Sequence, residues 1–298
     1  MPPNPSHPDP QDGPTIVAID LGGTRLRVAL AHSVDRVDVL EVVPTPPDDP
    51  AALQRLAAHA IAAAARAGRP AAALVVAVPG IVDYAARRVP LLPNLPGWRD
   101  GVQAAALEAA TGLPTLLGND ADLAALGEHR AGAGRGVDDL VYVTCSTGVG
   151  AGVIIGGRLL HGRRSLGEVG QTVIDWHTGD TVEQLASGTA LARLSGDDPA
   201  AVSARAAAGD PHARELFAAV AAAFATGVLT LAYCFMPQRI VVGGGVAQAG
   251  ALLLDPVRAR LAAAGPYLAL GADDVVAAAL SDTAALHGAY AYWQDAAR

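Results

Sequence analysis

The sequence is poor in charge, in aromatic rings and in cysteine: 17% of its 298 residues are charged, 4% are aromatic and two are cysteine. A formal charge of −8 leaves no excess of Lys and Arg to neutralise a phosphate backbone. That disfavours a nucleic-acid surface and implies that any phosphate meets backbone amides and metal instead. Cys145 and Cys234 lie far apart in apolar runs, which speaks against a disulfide scaffold and predicts two buried packing residues in a reducing compartment. No stretch of about 18 uninterrupted apolar residues is present, and the opening residues are Pro- and Asp-rich rather than basic then apolar. The expectation is a cytoplasmic protein with no membrane partner. Also missing are a P-loop and a Gly-x-Gly-x-x-Gly opening the first helix of a strand-helix-strand unit, so two common nucleotide folds are disfavoured.

What is present is apolar and aliphatic. Hydrophobic residues make up 51% of the chain, and alanine must fill much of the core. The length exceeds one compact core at roughly 100–200 residues per domain, which predicts two lobes with a cleft. Residues 1–14 hold six prolines and read as a disordered tail. TIVAID (15–20), a Gly-Gly turn and RLRVALA (25–31) read as a hairpin, followed by a short strand at 37–43 and an alanine-rich helix at 50–67. A strand at 73–80, a helix at 101–111, a strand at 114–118 and a helix at 120–131 follow. Strand, Gly-rich turn and strand then recur at 138–157, an internal duplication of lobes. The remainder is mainly helical from 182 to 236, with a strand at 239–246 ending in three glycines, a helix at 246–264, a strand at 266–270 or 274–278, and a last helix from 284. The lobes are expected at 15–118, with 284–298 returning to it, and at 119–283.

Three Gly-rich turns carry the chemistry. In Asp20-Leu21-Gly22-Gly23-Thr24 the glycines permit a tight turn whose amides face an anion. Asp20 would share that space, and a carboxylate beside phosphates needs a cation between them, making Asp20 a candidate partner of Mg²⁺, directly or through water. Thr147-Gly148-Val149-Gly150 occupies the same place in the second half, so the two turns could grip one polyphosphate. Gly243, Gly244 and Gly245 offer a flat backbone face for a purine or ribose, or else a close packing contact against a sheet.

Taken in order, AIDLGGTRLRVAL (18–30), VPGIVD (78–83), PNLPGW (93–98), GNDADLAALGE (118–128), TCSTGVGAGVI (144–154), GEVGQ (167–171), EQLASG (183–188) and RIVVGGGV (239–246) resemble the ROK family of sugar kinases and related repressors. The resemblance implies an α/β fold of the two-lobed actin/hexokinase-like kind, a duplicated ribonuclease H-like unit with central mixed sheets. It implies ATP-dependent phosphorylation of a hexose, glucose or a relative such as N-acetylmannosamine, on its primary hydroxyl, with ATP and Mg²⁺ as nucleotide and metal. It further implies that Asn94, Asn119, Asp120, Glu168 and Glu183 contact the sugar, that Gly80 lines the same cleft, and that Asp120 is the catalytic base. An ordinary aspartate, with a pKa of about 3.9, deprotonates an alcohol poorly beforehand, so proton transfer is expected late, with orientation the larger service. A helix N-cap is the structural duty of Asn119-Asp120, and both roles fit together.

The chain also departs from the family. Where a zinc-ligating His commonly follows Glu-x-Gly, this sequence has Gln171, and 172–182 is short and holds no cysteine. An amide is a poor zinc ligand, so no structural zinc is expected, and packing of Trp176 in the core is expected to replace it. Gln171 can still donate to and accept from a sugar hydroxyl. Asp122 and Arg25 replace the frequent Asn and Lys. The 14 residues ahead of the first strand are too few for a helix-turn-helix. The alternative reading is a sugar-binding regulatory protein with little catalysis. The sequence leaves open the sugar, ATP against polyphosphate as donor, and whether the chain is a homodimer.

Overall fold

In a computed structural model, residues 13–98 and 101–297 are described, so the tail expected over 1–14 lies, but for its last two residues, outside the described residues. The described residues gather into two compact units, one from within 1–131, 162–165 and 283–298 and one from 132–161 and 166–282.

In the first unit, the apolar run at the start of the sequence becomes β1 (Ile16–Leu21), buried along its whole length, and it turns back as β2 (Arg25–Ala31). β3 (Val37–Pro44) forms the exposed edge. α1 (Ala52–Arg66) buries Leu53, Ala57, Ala60 and Ala64, one face at helical spacing. β4 (Leu74–Val78) is followed by a small hairpin, β5 (Ile81–Asp83) and β6 (Arg88–Leu91), which the sequence pattern did not announce. Then come α2 (Ala104–Thr111), β7 (Thr115–Asn119) and α3 (Asp120–Ala131). The sheet order is β3-β2-β1-β4-β7, with β1 antiparallel to β2 and parallel to β4, and β4 parallel to β7.

The second unit repeats that plan. β8 (Leu140–Cys145) pairs antiparallel with β9 (Val149–Ile155), and β10 (Arg158–Leu159) extends the edge. α4 (Val182–Ala186), α5 (Gly188–Ser195), α6 (Pro199–Ala208) and α7 (Pro211–Phe235) precede β11 (Arg239–Gly243). The helix expected at 246–264 is interrupted at Gly250, whose φ is 59°, leaving a short 3-10 turn and then α8 (Ala251–Ala262). β12 (Val275–Ala277) is the second of the two alternatives for the last strand. The order β10-β9-β8-β11-β12, with β8 parallel to β11 and β11 to β12, matches the first sheet strand for strand.

α7 has the length and apolarity to cross a bilayer. Here it is a core helix, with Phe217, Val220, Phe224, Val228 and Leu231 buried and α4, α6 and α8 packed on it. Its last turn exposes Cys234, contrary to the expectation of two buried cysteines; only Cys145 is buried, and burial pushes its thiol pKa up. The sequence pattern misleads because an apolar run at helical pitch has an outer face as well as an inner one.

α9 (Ala284–Ala296) packs on α3 and against β1, β2 and β4. α3 therefore lies in the first unit, whereas the sequence starts the second lobe at 119. The two helices touch backbone to backbone: a β-carbon on Gly127 would overlap the Ala284 carbonyl, and one on Gly288 would overlap the Leu123 carbonyl. Gly288→Ala should lower stability by about 1–3 kcal/mol or more, because neither helix backbone can yield without disturbing the sheet beneath. An unchanged denaturation midpoint would show that this crossing is not tight.

Candidate functional site

Parallel pairing decides which residues meet. β1, β4 and β7 run in one direction, in registers that set Asp20 beside Ala77 and Val78 beside Asn119. Their carboxyl ends therefore share one edge of the sheet, the usual place for ligands in such folds. Four sequence motifs end there: the turn at 22–24, Gly80, Asn119 and Asp120.

Asp20, 9% exposed, accepts a hydrogen bond from Arg27 Nη1 at 3.2 Å across the hairpin. The turn beyond it is closed by Gly22 N donating to Arg25 O, while Thr45 Oγ1 donates to Gly22 O at 2.7 Å and Thr24 O accepts from Thr45 N. Gly23 lies against Asn94, whose Cβ would stand 3.6 Å from a β-carbon placed there. Asn119 is buried, donates from Nδ2 to Gly80 O at 3.1 Å, and accepts through Oδ1 from Ala121 N and Asp122 N. It is thus the N-cap of α3, and Asp120, half-buried at the first helical position, accepts from Ala121 N. Two residues further on, fully buried Asp122 accepts from Tyr84 Oη at 3.1 Å; burial and this carboxylate hold the Tyr84 and Tyr292 phenols above their ordinary range.

In the second unit, the turn after β8 carries Thr147 and Gly148, while Gly150 is already in β9, opposite Thr144. Glu183, in the first turn of α4, accepts from Val149 N through Oε2 at 2.9 Å and from Gln171 Nε2 through Oε1 at 3.3 Å. Gln171 N in turn donates to Glu168 O. The structure thus brings Glu168, Gln171, Glu183 and Gly148 together. Glu168 reaches solvent, yet burial first and then the charge of Glu183 raise its carboxyl above the ordinary glutamate range.

The three glycines after β11 divide. A β-carbon on Gly243 would overlap Tyr142 Oη, and one on Gly244, whose φ is 91°, would overlap Cys145 O. These two satisfy the packing alternative. Gly245 is exposed and has nothing within 4 Å of that position, so it alone presents an open face.

The segment 172–182 closes on itself. Val173 bridges Thr181, Asp175 Oδ1 accepts from His177 N and Thr178 N, Thr178 Oγ1 donates to Asp180, and Thr181 with Gln184 forms a capping box. Trp176 is 84% exposed and sits against the His177 ring, 4.2 Å between centroids. The expected core role for Trp176 is thereby overturned: side-chain and backbone hydrogen bonds, not a buried indole, hold this loop. Among the described residues no three His, Cys, Asp or Glu side chains gather as a metal site.

A model of the ROK family matches residues 16–296. A glucokinase of Halalkalibacterium halodurans is 32% identical, the match covering 92% of this chain and 93% of that one. An N-acetylmannosamine kinase of Shigella flexneri is 35% identical over 78% of this chain and 83% of its own length. Among solved structures, a ROK glucokinase of Streptomyces griseus with glucose and AMPPNP superposes with a TM-score of 0.80 at 31% identity, covering 93% of this chain and 98% of that one. The fold is that of ROK sugar kinases, of the actin/hexokinase-like kind.

The Glu168 carboxyl should titrate above the ordinary glutamate range. Because its folded-state pKa is raised, the stability it contributes is fully present below the unfolded value and is lost as pH rises through the folded one. Glu183→Gln removes the neighbouring charge and should move the Glu168 midpoint down in a carboxyl-resolved NMR titration. A midpoint at the ordinary value, or one indifferent to Glu183→Gln, would contradict this electrostatic picture.

Proposed function

The chain belongs to the ROK family, and on that premise we propose that it is an ATP-dependent sugar kinase that phosphorylates the primary hydroxyl of a neutral aldohexose or its N-acetyl derivative. The observation that carries this reading is the division of labour at the carboxyl end of β7. Asn119 caps α3 and fixes the backbone, so the Asp120 carboxylate is held half-buried at the end of a strand whose parallel neighbours lead to Gly80 and to the glycine turn.

Phosphoryl transfer asks for in-line positioning, charge neutralisation and a proton acceptor. In this proposal the turns at 22–24 and 147–148 hold the phosphates with backbone amides, and Gly245 adjoins the adenosine while Gly243 and Gly244 serve packing. Asn94, Asn119, Gly80, Glu168, Gln171 and Glu183 orient the sugar, and Asp120 takes its proton late in the transfer. Mg²⁺, when bound with the nucleotide, would supply charge neutralisation to the phosphates. Asp20 fits it through water, since its carboxylate already serves Arg27, and Mg²⁺ keeps several waters beside one or two carboxylates. Gln171 and the self-closed loop suit a protein without structural zinc.

The motifs assigned to the acceptor are acidic: they carry Asp120, Glu168 and Glu183, and no Lys or Arg. Carboxylates accept from sugar hydroxyls and repel a carboxylate or phosphate already on the substrate. Relatives named for glucose and for N-acetylmannosamine bracket the choice of sugar. A cytoplasmic location belongs to the same reading.

Asp120→Asn keeps shape and removes the proton acceptor. Turnover should fall roughly 10²–10⁴-fold, the usual worth of a general base, while sugar affinity stays within a few-fold. Turnover within about threefold of the parent would rule out the base role.

A further inference from the structure

Every residue from 145 to 149 touches the segment 183–189. Cys145 Sγ donates to Ala186 O at 3.0 Å, Gly188 N donates to Ser146 O at 2.7 Å, and Thr189 Oγ1 donates to Thr147 O at 2.7 Å. Val149 N donates to Glu183 Oε2 at 2.9 Å, and Gly148 lies so close that a β-carbon on it would overlap the same oxygen. The glycine at 148 therefore makes room for a carboxylate behind the turn, and 183–189 is a strap around it.

Only one of these ties is made by a side chain with a further duty. Glu183 reaches Val149 with one oxygen and Gln171 with the other, and its charge bears on Glu168. A hydroxyl that donates to Glu183, or that displaces Gln171 from it, acts on the same carboxylate on which the Val149 amide rests. That amide opens β9 immediately after Thr147 and Gly148. Two groups of residues with separate chemical tasks thus share one carboxylate.

We propose that Glu183, besides facing the sugar, is a positioning residue for the phosphate turn, so that nucleotide binding and sugar binding are coupled through its contact with Val149. The inference rests on the kinase reading above and adds an effect on the nucleotide from a residue assigned to the acceptor. Coupling of this kind is reciprocal: bound sugar changes the affinity for the nucleotide by the same factor as bound nucleotide changes the affinity for the sugar.

The test measures equilibrium binding of the Mg²⁺ complex of a non-hydrolysable ATP analogue without sugar, and of glucose without nucleotide. Glu183→Ala should weaken the analogue, although the residue is assigned to the sugar, by a factor in the range of roughly 5–150 typical of coupled sites. Glu183→Gln, whose carbonyl can still accept from Val149 N, should restore it to within about threefold. Glu168→Ala should leave the analogue unchanged, separating the effect from loss of sugar contacts. Gly148→Ala, which pushes on Glu183, should weaken glucose. Parent-like binding of the analogue by Glu183→Ala together with parent-like binding of glucose by Gly148→Ala overturns the coupling while leaving the kinase reading intact. A parent protein that binds neither ligand overturns both.

Discussion

A strand that runs parallel to its neighbour must deliver its last residue to the same edge of the sheet, and this topological constraint assembles everything chemical in the first unit. Asp20, Gly80 and Asn119 are far apart in sequence, yet the registers of β1, β4 and β7 leave them no other place to end. The antiparallel hairpin on the outer side then sets the turn at 22–24 beside them. The second sheet obeys the same order, so the turn after β8 and the glycines after β11 come together in the same way. Duplication of the strand order thus duplicates an edge at which strand carboxyl ends and Gly-rich turns meet, and each copy has been given different side chains.

Close approach is the second constraint, and it is met by leaving out β-carbons where polar groups must pass. Gly148 admits the carboxylate of Glu183, and Gly244 lets the loop after β11 lie on the carbonyl of Cys145. At the second position the backbone also takes a left-handed conformation, φ 91°, which glycine adopts without strain. These contacts tie the turn after β8 to both α4 and β11, so its shape is held from behind by hydrogen bonds and from the side by packing. A turn held this way can present amides to an anion with little reorganisation on binding.

Much of this was legible in the sequence because it is written in local chemistry. A glycine turn after a β-branched run is a statement about two or three residues, and both hairpins formed where those turns stand. Asn119 before an alanine-rich helix was readable as a cap for the same reason. What was not legible depended on facing. Trp176 and Cys234 look like core residues by type, but a loop that satisfies its own amides needs no buried indole, and the outer face of α7 meets solvent despite its apolar composition. The placing of α3 in the first unit followed from Gly127 and Gly288, a contact between residues 161 positions apart that no local pattern reveals. Glu183 shows the same limit within the site: its motif marks a polar contact, and only the fold shows that the contact includes the turn at 147–149.

The claim that joins these features is that an acidic acceptor side and an amide-lined phosphate turn serve one phosphoryl transfer. It is tested most directly by measuring ADP formation by the purified chain with ATP and Mg²⁺ over neutral aldohexoses, their N-acetyl derivatives, uronic acids and sugar phosphates, and locating the phosphate on the product by NMR. The expected result is ADP formed in step with sugar consumed, the highest kcat/KM on a neutral aldohexose or N-acetylhexosamine, and phosphate on the primary hydroxyl. A highest kcat/KM on a sugar acid, a sugar phosphate or a non-sugar alcohol, or ADP release indifferent to sugar, would contradict it.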